Sequence, residues 1–317
     1  MATTRIAVLD DYQLVAERFA QWDSIDSAIV TFFSEHLADL DRLAERLAPF
    51  EVIVAMRERT AFRRELLDRL PALRLLVTTG MMNAAIDLDA ARSRGVVVAG
   101  THGSGPPTAE LTWALILGLS RHLVEEDTNI RSGGWQRTVG TDLAGRTLGL
   151  LGLGRLGRRV ARIGQAFEMD VIAWSANLDA ADAASLGVRA VEKAELFTQS
   201  DVVSIHLVLS DRTRALVTAQ ELSLMKSSAI LVNTSRGPIV DEDALAVALG
   251  EGRIAGAGLD VFATEPLPLD HPLRSSSRTL LTPHLGYVTE ATYEIFYDEA
   301  VEDIRAFLAG APVRVLT

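Results

Sequence analysis

Cysteine is absent from all 317 residues. That excludes disulfides, thiolate metal sites and a cysteine nucleophile, and nothing points to an oxidising compartment. Long apolar runs are missing too: none approaches the roughly 20 residues needed to span a bilayer, and the amino terminus, "MATTRIAVLDDYQ", reaches acidic residues within one strand's length. No block of positive charge stands out, since 31 lysines and arginines face 42 acidic residues for a formal net charge of −11. Nucleic acid and anionic membrane are therefore poor partners, and an anionic ligand must find a locally cationic pocket. Internal repeats and low-complexity tracts are lacking as well. The expectation is a cytoplasmic protein that uses no metal. Histidine is scarce, six in all, so the place of each imidazole carries information.

What is present is a soluble globular composition, 48% hydrophobic and 23% charged, in a chain long enough for two domains. Short β-rich runs, "RIAVLD" (5–10), "FEVIVAM" (50–56), "LRLLVTTG" (73–80) and "GVVVAG" (95–100), alternate with amphipathic stretches such as "LADLDRLAERLA" (37–48). A Gly/Pro segment, "THGSGPPTAE" (101–110), then leads to an apolar helix pattern from Leu111 to Leu123 and to an aperiodic stretch, 131–145, that reads as a crossing between domains. A second series follows at 147–154, 169–175, 201–209, 228–235, 256–262 and 278–285. The alternation predicts an α/β protein with two doubly wound parallel-sheet domains.

"GLGRLG", Gly152 to Gly157, sits between an apolar strand pattern and a helix pattern. In that setting Gly152 makes the tight turn, Gly154 lets the backbone approach a pyrophosphate, and Gly157 permits close packing of helix on strand; Arg155 and Leu156 open the helix whose amides receive the anion. A carboxylate for the adenosine ribose is expected about 20 residues on. Ser175 occupies that slot, with Asp179 and Asp182 a few residues later and no lysine or arginine between Ser175 and Gly187. The cofactor reads as NAD or NADP, with the choice open.

Three residues could do chemistry. Arg236, in "NTSRGPIVDEDAL", follows a strand at the end where open α/β sheets bind ligands; it either caps the turn or offers its fork of donors to a carboxylate. Glu265, in "GLDVFATEPLP", and His284, in "LLTPHLGYV", also sit just beyond strands. Singly each suits a bland surface role. Together they place cation, carboxylate and imidazole beside one nicotinamide site. Reducing a 2-keto acid needs a hydride at the carbonyl carbon and a proton at its oxygen. His284 can supply the proton, Glu265 can orient the ring and favour its protonated form, and Arg236 can hold the substrate carboxylate.

These segments, with "AELTWALILGLSR" (109–121), "RSGGW" (131–135) and "LAGRTLGLLGLGRLG" (143–157), resemble the D-isomer-specific 2-hydroxyacid dehydrogenases over nearly the whole chain. The resemblance implies a flavodoxin-like substrate domain, 1–100 plus 289–317, and a Rossmann cofactor domain, 101–288. It implies Arg236, Glu265 and His284 as the catalytic set. For the cofactor it implies Asp260 and Thr234 at the nicotinamide amide, Thr108 at the phosphates, and contacts at His206 and Gly286. Backbone amides around Thr79, Gly80 and Met81 would cradle the substrate carboxylate, with Arg57 placed for a second anionic group. The segment 111–145 resembles a dimerisation arm, so a homodimer is expected. Two other readings keep the fold: a dinucleotide-sensing corepressor and a formate- or phosphite-type dehydrogenase.

Overall fold

The computed structural model describes residues 3–317. The chain divides into two compact units: the described residues up to Ser104 together with Thr289–Thr317, and Gly105–Val288.

The first unit is built on a five-stranded parallel sheet of β1 (Thr4–Val8), β2 (Ala28–Phe32), β3 (Val52–Ala55), β4 (Leu75–Thr78) and β5 (Val97–Gly100), in the order β2-β1-β3-β4-β5. β3 and β4 are buried along their whole length, as strands covered on both faces must be, and they read as unbroken apolar runs. β2 is only half-buried at the sheet edge. It lacks that signature, and no strand is expected there from the sequence. Aspartates start the connecting helices: Asp39 accepts from the Arg42 amide and Asp87 from the Ala90 amide, each satisfying a donor that the first helical turn leaves open. The helix Glu290–Leu308 returns to this unit and buries Tyr293, Phe296, Tyr297, Ala300 and Ile304. Behind it the chain end is tied to β5, the Leu316 amide donating to the Val98 carbonyl at 2.7 Å.

The second unit carries a seven-stranded sheet, β6 (Thr147–Leu151), β7 (Asp170–Trp174), β8 (Arg189–Ala190), β9 (Val202–Ile205), β10 (Ile230–Asn233), β11 (Gly256–Leu259) and β12 (Thr279–Leu281), in the order β12-β11-β10-β9-β6-β7-β8. Every pairing is parallel. The order reverses between β6 and β9, and a doubly wound sheet opens a crevice at the carboxyl ends of its strands at that point. One apolar layer, with Leu231, Ile205, Phe197 and Leu245, fills one face of the sheet; another, with Trp113, Ile116, Leu150 and Val160, fills the opposite face.

The expected single helix from Leu111 to Leu123 is two. Pro107 stands at the first position of the helix Pro107–Ser120, where its missing donor costs nothing. The helix stops at Arg121, His122 takes a left-handed φ of 51°, and a second helix runs Leu123–Arg131. Apolar periodicity passes straight through such a break, because a single backbone reversal leaves the pattern unchanged. Among the described residues no helix is long and apolar enough to cross a membrane, and no cluster of side chains suits a metal ion.

Candidate active site

The glycine loop follows β6. Gly152 has φ 100°, and a Cβ there would meet the His206 carbonyl oxygen at 2.5 Å; a Cβ on Gly157 would overlap the Gly152 carbonyl. Both positions therefore require glycine for close backbone approach. Gly154 differs, because a Cβ there meets nothing within 4 Å. Outer glycines that let the chain fold onto itself, with a middle one bordering open space, fit a pyrophosphate. The helix Arg155–Ala166 begins at that space with no side-chain cap and no acid in its first turn, so its positive end is uncompensated. Arg155 is exposed, and Leu156 packs half-buried on the core beneath.

Beyond β10 the turn that carries Arg236 is pinned from both sides. The Asn233 side chain donates to the Arg236 carbonyl at 3.0 Å and accepts from the Ser235 amide at 3.0 Å, while Ser235 Oγ donates to the Ile205 carbonyl at 2.7 Å. Arg236 is half-buried, with Nη1 donating to the Ser235 carbonyl at 2.7 Å. Its neighbour Gly237 lies against the Phe262–Ala263 backbone so closely that any Cβ would overlap it. This contact joins the Arg236 turn to the loop after β11, and motif spacing does not reveal it. The only sequence signal is a glycine directly after the arginine.

On that loop Glu265 uses both oxygens: Oε1 accepts from the Phe262 amide at 2.8 Å, and Oε2 lies 2.6 Å from Nδ1 of His284. The two side chains are 30% and 17% exposed, sheltered yet reachable. His284 adopts a left-handed φ of 56°, an uncommon conformation for a residue other than glycine. Its amide donates to the Asp260 carbonyl at 2.8 Å. Asp260 holds the rest of the turn: its fully buried carboxylate accepts from Thr282 Oγ1 at 2.6 Å, the Leu285 amide at 2.7 Å and the Gly286 amide at 2.8 Å. Burial pushes this carboxyl above its ordinary value. The expected role at the nicotinamide amide thus shares Asp260 with a structural one, for both of its oxygens are engaged in fixing the His284 turn. Gly286 fits where a Cβ would stand 3.1 Å from Asp260 Oδ2, and Thr108 Oγ1 donates to the Gly286 carbonyl at 2.7 Å. Thr234 Oγ1 lies 2.8 Å from Thr112 Oγ1, in the buried layer beneath.

Two of the expected contacts lie under local constraints. The resemblance puts His206 at the cofactor; its Nε2 lies 2.9 Å from Ser204 Oγ and its Nδ1 is enclosed without a hydrogen-bond partner among the described residues. Burial holds the ring down at about 3, so it is neutral, and the part of His206 that shapes the glycine loop is its backbone carbonyl. In the first unit, the amides of Thr79 and Gly80 are already engaged, by the Ala55 carbonyl at 3.1 Å and by Thr101 Oγ1 at 3.0 Å. Neither can cradle a carboxylate without giving up its bond. Arg57 lies across this turn instead, with Nη1 donating to the Thr79 carbonyl at 3.1 Å. Gly80, at φ 115°, must be glycine beneath it. Met81 and Met82 are exposed.

A seven-stranded parallel sheet with a glycine loop at its switch point, and a paired carboxylate and imidazole beyond the carboxyl ends of β11 and β12, defines a dinucleotide-dependent oxidoreductase. Residues 113–286 match the NAD binding domain of the D-isomer specific 2-hydroxyacid dehydrogenases, and the chain belongs to that family. It is 43% identical over 256 residues to a glyoxylate reductase of Aeropyrum pernix, covering 78% of this chain and 76% of the relative. A hydroxypyruvate reductase of Blautia hydrogenotrophica is 29% identical over 324 residues, 98% of this chain and 99% of the relative. The solved structure of a phosphoglycerate oxidoreductase from Vibrio cholerae O395 superposes with a TM-score of 0.93 at 40% identity, covering 98% of this chain and 100% of that one. The protein is accordingly an enzyme that interconverts a 2-keto acid and its D-2-hydroxy acid with a nicotinamide dinucleotide as cofactor.

Proposed function

We propose that the enzyme acts on a small, unphosphorylated 2-keto acid such as glyoxylate or hydroxypyruvate, with His284 as proton donor, Glu265 as its orienting partner and Arg236 as the group that holds the substrate carboxylate. The observation that carries this reading is the 2.6 Å contact between His284 Nδ1 and Glu265 Oε2. A carboxylate at Nδ1 keeps that nitrogen protonated as a donor, which leaves Nε2 as the atom that exchanges a proton with substrate. Arg236 supports the reading because its main chain is fixed by Asn233 and Ser235. Its guanidinium then meets an anion without reordering the turn. When bound, the reduced dinucleotide supplies the hydride. In the oxidative direction His284 accepts the proton.

The glyoxylate and hydroxypyruvate reductases among the relatives support the small-acid reading, and the D-3-phosphoglycerate dehydrogenases among them make 3-phosphohydroxypyruvate the competing substrate to test. A phosphoryl group would need cations besides Arg236, and the candidates just beyond β3 are Arg57 and Arg59. Arg59 is committed to the Asp10 carbonyl at 2.6 Å and to the face of Tyr12. The protein is further read as a cytoplasmic homodimer whose arm is the exposed part of 121–145. Leu115 and Ile116, at the start of the segment that resembles such an arm, are core. The experiment is consumption of NADH and NADPH by the pure protein with glyoxylate, hydroxypyruvate, pyruvate, phenylpyruvate and 3-phosphohydroxypyruvate. Turnover led by one of the first two is expected. A higher catalytic efficiency on 3-phosphohydroxypyruvate would overturn the unphosphorylated substrate class.

A further inference from the structure

We infer that Arg158 and Ser175 form the recognition site for a 2′-phosphate, so that the enzyme prefers NADP(H) to NAD(H). This deepens the cofactor part of the reading above and rests on the glycine loop receiving a dinucleotide.

The register of β6 and β7 fixes the place. Leu151 pairs with Trp174, and the Gly152 amide donates to the Trp174 carbonyl at 2.9 Å, so Ser175 begins the chain directly beside the glycine loop. In this fold the residue at that strand end faces the adenosine ribose: a carboxylate there accepts from the 2′-hydroxyl and repels a 2′-phosphate. A serine hydroxyl does neither, and it can donate to phosphate oxygen.

Both acids that could substitute for the missing carboxylate are in use. Asp179 caps the following helix, accepting from the Ala181 amide at 2.8 Å and the Asp182 amide at 3.4 Å. Asp182 is paired with Arg158, 2.5 Å from Nη2. Arg158 comes from the neighbouring element, in the first turn of the helix Arg155–Ala166 after β6, and its Nε donates to the Leu153 carbonyl inside the glycine loop at 3.2 Å. One guanidinium therefore reaches from the glycine loop to the segment after β7, the interval that the ribose of a dinucleotide spans. The stretch between Ser175 and Gly187 holds no cation of its own, and folding supplies one from 17 positions before Ser175.

Charge and exposure agree with this assignment. The helix reads "RLGRRVARIGQA", with Arg155, Arg158, Arg159 and Arg162 and no acid, a local positive face on a chain of net −11. The Arg158 and Asp182 side chains are 42% and 40% exposed, and a solvated pair of that kind holds its partners weakly. A phosphate dianion is tetrahedral and offers three terminal oxygen acceptors, two of which the planar guanidinium fork can bind side by side. It displaces Asp182 from Arg158 at little cost, and Asp182 serves to park the cation in position.

The test is titration calorimetry of the intact protein with 2′,5′-ADP and with 5′-AMP, probes that differ by the 2′-phosphate and lack nicotinamide. The expected preference for 2′,5′-ADP is about tenfold or more, the scale of one charge-assisted hydrogen bond. Arg158→Ala should bring the two affinities together, Ser175→Asp should reverse their order, and Asp182→Asn should widen the gap by removing the competitor. Binding of 5′-AMP by each variant serves as the check that it is folded. Equal affinities in the native protein, or a preference that survives Arg158→Ala, would overturn the inference; binding of neither nucleotide would overturn it along with dinucleotide binding by the loop. Because no turnover is read, a chain that prefers 2′,5′-ADP yet reduces no keto acid would sink the substrate assignment and leave this site standing. Brisk turnover with NADH and no preference would do the reverse.

Discussion

Nδ1 of His284 stands 2.6 Å from Oε2 of Glu265, and the other Glu265 oxygen is held by the Phe262 amide at 2.8 Å. The carboxylate cannot rotate away without losing a backbone bond, so the imidazole is oriented from a fixed point. His284→Ala is expected to lower kcat by about a hundredfold to ten-thousandfold, the usual contribution of a positioned acid, while the dissociation constant for the dinucleotide changes little. Glu265→Gln keeps a hydrogen-bonding side chain but not the charge, and should cost less than the histidine variant. Single-turnover rates and dinucleotide titrations on both proteins measure this. A kcat unchanged in His284→Ala ends the assignment.

Two glycines of the second unit make opposite predictions. At Gly237 a Cβ overlaps the Phe262–Ala263 backbone, whereas at Gly154 it meets nothing within 4 Å. Gly237→Ala must push the Arg236 turn away from the Glu265 loop. The cost should be of the order of overpacking a core, about 1–3 kcal/mol, and should lower Tm by roughly 3–10 °C together with activity. Gly154→Ala should leave Tm nearly unchanged and weaken dinucleotide binding, because the added methyl occupies the space a pyrophosphate needs. Thermal melts and dinucleotide titrations on the pair decide the matter: equal Tm losses would mean that Gly237 is no tighter a contact than Gly154 and that neither glycine has its assigned role.

The strands and the glycine loop are legible in the sequence because burial on both faces writes itself as an unbroken apolar run, and because the three glycines sit at a fixed spacing. Edge strands β2 and β8 are not, since a half-exposed strand has no such run. Arg236, Glu265 and His284 can be placed at strand ends, but the contacts that fix them cannot. Gly237 against Phe262, Asp260 under the His284 turn, and Arg158 beside the chain after β7 all join residues far apart in sequence. The same holds for His206: its motif position is readable, whereas the enclosure of its ring depends on neighbours that local pattern does not carry.

The segment after the helix Pro107–Ser120 predicts an assembly. Leu123, Val124, Ile130, Trp135 and Val139 are exposed, Trp135 at 72% and Val139 at 92%. Yet the segment is tied down: Glu126 accepts from the Arg137 amide, the Thr138 amide and Thr138 Oγ1, bonds that hold its carboxyl down at about 2. The Asn129 side chain donates to the Trp135 carbonyl at 2.9 Å. An ordered apolar surface of this kind suits a protein interface, and in the homodimer proposed above a second copy of the chain would cover it. Light scattering should give twice the 34.3 kDa of one chain, and Ile130→Glu with Trp135→Ala should shift the protein toward monomer. A native protein that stays at 34.3 kDa at micromolar concentration refutes the arm assignment.

Asp303 gives a pH prediction within the first unit. Its side chain is buried on the helix Glu290–Leu308, and Arg314 Nε lies 3.0 Å from Oδ1. The same guanidinium is shared with Glu302, at 2.8 Å, and Glu299, at 3.8 Å. Oδ2 has no hydrogen-bond partner among the described residues. Burial, reinforced by the two neighbouring glutamates and only partly offset by Arg314, pushes the carboxyl up to about 7 from an ordinary 3.8. A folded-state value above the unfolded one means that the native protein holds a proton the unfolded chain releases. The associated stability is fully present below about pH 3.8 and is lost as pH rises through about 7. Asp303→Asn keeps the shape and removes the titration. Between pH 5 and 8 the native protein should lose more Tm than Asp303→Asn does, by roughly 3 °C or more. Parallel Tm profiles for the two proteins across that range would show that Arg314 keeps Asp303 ionised throughout, and that the burial of its second oxygen costs the fold nothing that pH can recover.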